Sequence, residues 1–279
     1  MMRPDSSLFS RRADSISRAD ALGALALRLV TYLAMGFLFF PILITLMVSV
    51  NPQEFILPPS GFTLEWFRQA WTSDTFVRAM GVSLWLGVAA TLIANALAFM
   101  VVLAMVRYDF RGKALLNLLI MSPLLIPTTI FSLALYVFFA RLGFGSGIPA
   151  LVIGHSIHVL PFAVRILTAS MQNFDLSLEE AARNVGAGPV RTMVSITLPV
   201  IKTGLVSSLV LYFVLSWNDF PISVFLAPAG WTPLPVELFS YIKFQYDAVG
   251  AALASSLILI SIVVMVVIDR LSGLRRVLR

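Results

Sequence analysis

Six apolar runs dominate the chain, and each is long enough, or nearly so, to cross a bilayer. They occupy residues 22–50, 76–106, 114–140, 148–169, 198–227 and 248–268. A helix of about twenty residues covers the roughly 30 Å of hydrocarbon and pairs its backbone amides within its own segment, as lipid requires. Barrel strands would instead alternate polar and apolar over about ten residues. These runs are continuous and longer, so helices are expected. Composition agrees: 59% of the 279 residues are hydrophobic and 12% are charged, against about 25% charged in soluble domains. So few charges cannot cover a water-soluble surface of this size. The expected fold is an all-α integral membrane protein, with a six-helix domain at 22–270 between polar tails at 1–21 and 271–279. Arg11, Arg12 and Arg18 resemble the charged region of a signal peptide. The run behind them is too long for one and lacks a small-residue cleavage site, so a retained tail is expected.

Six crossings put both termini on one side. That side holds sixteen of the twenty Lys and Arg residues and eight of the fourteen acidic ones. Basic residues stay in the cytoplasm, so both termini and residues 165–202 are expected there, in a bacterial inner membrane. The net charge of +6 is explained by this placement; no basic face for nucleic acid forms. The absence of cysteine excludes disulfide and thiolate chemistry. Pro41, Pro123, Pro127, Pro161 and Pro221 lie in or beside the spans, where each can kink a helix.

Between the fourth and fifth runs lies a polar segment, residues 173–199, reading NFDLSLEEAARNVGAGPVRTMVSITLP. Ser177 and Glu180 have the spacing of a capping box. Glu179 and Glu180 sit in a first turn, where the helix dipole favours anions. Gly186 or Gly188 can supply a left-handed terminator, and Pro189 opposes continuation. The helix between them spans two or three turns and is too short to stand alone in water. Leu176, Leu178, Ala181, Ala182 and Val185 give it an apolar surface, leaving Glu179, Arg183 and Asn184 for polar contact. It either docks into a partner or lies on its own bundle or the membrane surface.

The segment resembles the signature of the inner-membrane permease subunits of binding-protein-dependent ABC importers. Glu180-Ala181-Ala182 is followed after three residues by Gly186, after nine more by Ile196, and then by Leu198-Pro199. The stretches RYDFRGK, MSPLLIP, LPFAVR and LSWNDF are similar to PotC-type permeases of spermidine/putrescine importers. The resemblance implies a type I importer fold whose coupling helix contacts a cytoplasmic ATPase dimer through Ser177, Glu179, Glu180, Ala181, Ala182, Arg183 and Gly186. It also implies a second homologous permease subunit, a periplasmic solute-binding protein and a small amine as solute. Relatives of this type serve other small solutes too, such as amino acids, phosphonates or opine-like compounds. This chain has no phosphate-binding loop: GFGSG and GAG lack the following lysine. ATP and Mg are therefore expected on the partner ATPase, with no cofactor and no catalysis here. Against this stand a secondary transporter, which would often show inverted repeats, and a membrane scaffold; no convincing repeat is visible.

For the solute pathway the sequence offers Trp217, Asn218, Asp219 and Tyr241. A carboxylate in an apolar run is costly unless it lines a cavity or finds a partner, and Trp217 adds a cation–π face for an amine. Asp219 otherwise ends a span at the interface, where Trp is common. Glu237 and Asp247 stand in the loop before the last run. His155 and His158, three apart, share a helix face. Metal sites usually take three or four ligands, so packing or a polar lining is expected of them.

Overall fold

The computed structural model describes residues 6–53, 59–143, 145–172, 174–245 and 247–272; these form helices and no strand. The chain opens with α1 (Ser6–Ser49), α2 (Glu65–Thr72) and α3 (Asp74–Arg107). Then come α4 (Lys113–Met121), α5 (Thr128–Arg141), α6 (Ile148–Gln172), α7 (Ser177–Asn184) and the single turn α8 (Pro189–Thr192). The chain closes with α9 (Leu198–Trp217), α10 (Pro221–Leu226), α11 (Leu234–Phe244) and α12 (Val249–Ser272). Among the described residues five helices are long and apolar enough to cross a membrane, and a bent pair taken as one span brings the number to six.

Lipid is as apolar as leucine, so close approach and polar contacts must hold the spans together. Here α3, α6 and α9 pack on one another at the centre. On α3, Ala90, Ala94 and Ala98 recur at four-residue spacing and are fully buried. Small side chains on one face of a helix let the neighbouring helix come near. Ala94 and Ala98 join Val159, Ala163 and Leu167 of α6 in one apolar cluster. Gly204 of α9 lies so close to Ser170 of α6 that a Cβ would collide with it. A polar tie joins α9 to α3, where Ser208 Oγ donates to Asn95 Oδ1 at 2.6 Å. By contrast α1 packs on α12, and its large apolar side chains between Leu25 and Leu43 are exposed.

Two of the runs differ from the expected spans. The third run is not a straight span: α4 and a tight 3-10 turn (Ser122–Leu125) meet α5 at 114°. Pro123 lies in that turn and Pro127 directly precedes α5, so the prolines bend the segment where neither flank loses its apolar character. The fifth span runs over Pro189–Trp217 rather than 198–227, because α8, a π-helical turn (Met193–Thr197) and α9 form one rod. Its far end stops before Asn218-Asp219, and Pro221 starts α10 at a position suited to proline. The expected tail 1–21 is helical from Ser6 onward, and α12 extends to Ser272. The remainder of the expected 271–279 tail lies outside the described residues, as do residues 1–5 and Asn173.

The ends of α3 and α6 and the start of the rod meet beside α7. The opposite end of the bundle carries α2, α11 and the start of α3.

Candidate coupling site and solute pathway

The local sequence of α7 explains both of its ends. Asp175 Oδ1 accepts the Ser177 amide at 2.9 Å, and this bond, reinforced by the Ser177 hydroxyl, holds the Asp175 carboxyl below its ordinary range. Ser177 is therefore the first helical residue, and no side chain closes a Ser177–Glu180 capping box. The aspartate two residues upstream supplies a charged acceptor at the positive end of the dipole and takes that place. At the other end Gly186 N–H donates to Arg183 O at 2.9 Å and Ala187 N–H to Ala182 O at 3.0 Å. This is a Schellman closure around Gly186, whose φ is 87°. Gly188 is extended, with φ −69° and ψ 164°, and leads into Pro189. Of the two glycines, Gly186 is the terminator.

The helix turns one acidic residue in and one out. Glu179 is 3% exposed, whereas Glu180 is exposed. The Glu179 carboxylate pairs with the Arg107 guanidinium from the end of α3 and accepts the Thr197 hydroxyl from the π-helical turn at 2.5 Å. Arg183 approaches the other carboxylate oxygen at 3.6 Å. Of the residues expected to meet an ATPase, Glu180, Ala181 and Arg183 stand on the exposed side, Ala182 is half-buried and Glu179 faces the bundle. Leu176, Leu178 and Val185 are 49%, 43% and 85% exposed, so the apolar surface of α7 is presented outward. Arg107 and Thr197 were not singled out by the sequence. Arg107 is flagged only by its place at the junction of an apolar run and a polar loop.

The second polar locus lies where α9 breaks. His155 of α6 bridges Ser216 and Ser223 through its two ring nitrogens, at 2.9 and 3.0 Å. Asp219, buried between α9 and α10, accepts the Ile222 amide at 2.8 Å, and its other oxygen lies 3.4 Å from His158 Nε2. Both histidines thus fasten α6 to the break, and no group of three metal-ligating side chains occurs among the described residues. Of the four expected pathway residues, Trp217 and Tyr241 border one apolar cluster, Asp219 is buried at the break and Asn218 is exposed. Trp217 is 1% exposed and stacks on Phe213. Asn218 is exposed and bonds Val214 O at 2.9 Å. Tyr241 donates to Asp247 at 2.6 Å and meets Phe76 edge-on. Glu237 lines a shallow hollow of about 170 Å³ with Asp74 and Arg78, at the end away from α7.

This architecture has solved counterparts. The fold overlays a chain of a bacterial ABC transporter that imports the acidic polysaccharide alginate, with a TM-score of 0.68 and 18% identity, covering 96% of this chain and 100% of that one. The bundle thus has the type I ABC importer transmembrane fold. The family described as binding-protein-dependent transport system inner membrane component matches residues 96–277, and the chain belongs to it. Among curated relatives, the spermidine/putrescine transport system permease protein PotC of Escherichia coli strain K12 is 28% identical over 231 residues, covering 83% of this chain and 88% of its own. The putative 2-aminoethylphosphonate transport system permease protein PhnV of Salmonella paratyphi A is 29% identical over 238 residues, covering 85% of this chain and 89% of its own.

Proposed function

We propose that the chain forms half of the membrane pathway of an ATP-driven importer of small amines, with α7 and both termini on the cytoplasmic side. The family is one of inner-membrane transport components, and the orientation rests on the clustering of Lys and Arg at the α7 end. The observation that carries the reading is the outer face of α7. A rigidly closed helix exposes Leu176, Leu178 and Val185 beside Glu180 and Ala181, and it joins the signature Glu180-Ala181-Ala182 to Gly186 and Leu198-Pro199. Such a face fits a groove on a cytoplasmic ATPase dimer, which carries ATP and Mg.

A second homologous permease subunit completes the pathway, and a periplasmic binding protein delivers solute at the opposite end. ATP binding draws the coupling helices together and opens the membrane helices outward; hydrolysis lets them reopen inward. The chain itself performs no catalysis. The names of two relatives, for spermidine/putrescine and for 2-aminoethylphosphonate, share an amine, which supports an amine solute. Asp219, beside the exposed Asn218 at the α9–α10 break, is the counter-charge in this reading, with Trp217 and Tyr241 shaping the wall behind it.

The chain lacks cysteine, so a single Ala181→Cys variant reports contact without background. Crosslinking to the ATPase subunit in the assembled complex is expected, and its absence in an active complex overturns the coupling role. In proteoliposomes with the binding protein, amines are expected to stimulate ATP hydrolysis more than amino acids, phosphonates lacking an amine or sugars. Preferential stimulation by one of those classes overturns the solute. Asp219→Asn is expected to slow amine uptake with assembly intact; unchanged uptake kinetics remove Asp219 from the path.

A further inference from the structure

We infer that Glu179 is a positioning residue rather than a docking contact, and that the Arg107–Glu179–Thr197 cluster carries motion of α7 directly into α3. This rests on α7 being the coupling helix. Chain connectivity ties α7 to only two spans, α6 before it and the α8–α9 rod after it. The central bundle has a third member, α3, which packs on both. Without a direct tie, α3 would follow α7 only through side-chain packing farther along those two helices.

The buried carboxylate provides that tie. Glu179 is 3% exposed; one oxygen takes both the Arg107 guanidinium, 72 residues earlier, and the Thr197 hydroxyl, 18 residues later. Arg107 Nη2 also lies 3.4 Å from Thr197 Oγ1, so the three groups close a triangle linking α3, α7 and the π-helical turn. Arg183 at 3.6 Å is the other charged group on this carboxylate, and it belongs to α7 itself. Two hollows flank the pair, of about 260 and 400 Å³, both lined by Arg107, Tyr108, Glu179 and Arg183. Space beside the pair leaves room for α7 to tilt, so covalent geometry and packing alone do not fix its angle against α3.

A buried ion pair is weak evidence for stability, but separating it strands a charge in a poor solvent. The pair therefore stays closed during movement, and α3 shares the displacement of α7. The adjacent Glu180 has the opposite assignment: exposed on the outer face, it belongs to the docking surface.

The test uses the complete complex with its ATPase, second permease subunit and binding protein, reconstituted in proteoliposomes. Glu179→Gln keeps an acceptor for Thr197 and removes the ion pair. It is expected to retain the ATPase subunit on purification while solute moved per ATP hydrolysed falls about tenfold, within the range of coupling effects of single residues. The exchanged pair Arg107→Glu with Glu179→Arg is expected to recover at least part of that ratio, whereas either reversal alone does not. Glu180→Ala is expected to shed the ATPase. Loss of the ATPase from Glu179→Gln, as from Glu180→Ala, makes Glu179 a docking contact and overturns the inference. An unchanged transport-to-hydrolysis ratio in Glu179→Gln, or a recovered fold without recovered ratio in the exchanged pair, overturns it as well. Should Glu180→Ala keep its ATPase and Ala181→Cys fail to crosslink, the coupling reading itself falls, a distinguishable result.

Discussion

Two polar clusters fasten the bundle, and they do so by different chemistry. At the α7 end a carboxylate and a guanidinium, joined by a hydroxyl, hold three elements together behind a surface left open to the outside. At the break between α9 and α10, His155 spans two serines and Asp219 meets His158 and a backbone amide, with the polar side chains turned inward. The first cluster pairs two formal charges and adjoins exposed apolar residues; the second gathers imidazole, hydroxyl and backbone groups, with one carboxylate among them. A charged tie resists separation because a lone buried ion is costly. A hydroxyl–imidazole clasp yields more readily, since partners in a membrane bundle are exchanged at little loss.

That contrast can be broken experimentally. Arg107→Met leaves Glu179 with the Thr197 hydroxyl and, as its charged partner, the more distant Arg183, and is expected to lower stability by about 3–5 kcal/mol, read from thermal unfolding of the purified complex. Replacing Glu179 as well should recover part of that loss. A Gly186→Val variant forces a β-branched residue to φ 87° and is expected to cost about 1–2 kcal/mol. Its signature is faster hydrogen exchange confined to α7. At the other cluster, His155→Phe removes two side-chain bonds, with an expected cost of about 0.6–1.7 kcal/mol in the same unfolding assay. A loss larger than that of Arg107→Met would reverse the comparison. Asp175→Ala should have the smallest effect, a slight fraying of the first turn of α7 seen by hydrogen exchange. Because the Asp175 carboxyl titrates below its usual value of 3.8, its contribution is complete above that value. It is lost as the pH falls through the lowered one.

Much of the fold was legible because hydropathy reports spans directly. It did not report the 114° turn in the third run, since Leu124, Leu125 and Ile126 between Pro123 and Pro127 keep the stretch apolar. The fifth run was extended too far for a similar reason: Phe220 to Ala227 reads as apolar, yet Asn218 and Asp219 had already ended the helix. The ends of α7 were legible in outline. Gly186 closes it as its neighbours require, but the cap fell to Asp175 because a charged acceptor two residues upstream is as plausible as a serine further in. The inward turn of Glu179 was not legible. An eight-residue helix offers two acidic neighbours, and only Arg107, brought from a distant span, decides which one faces the bundle. The same holds for His158 and Asp219, sixty-one residues apart in sequence and adjacent in space.

The π-helical turn at Met193–Thr197 sets the azimuth of everything beyond it. Each residue of an α-helix advances the helix by about 100°, so the widened turn acts as an angular offset between the joint at Thr197 and the span above. Rewinding that turn as plain α-helix with every residue kept would swing Ser208 about a quarter-turn away from Asn95. The rod would keep its length to within a residue and lose its phase with the bundle.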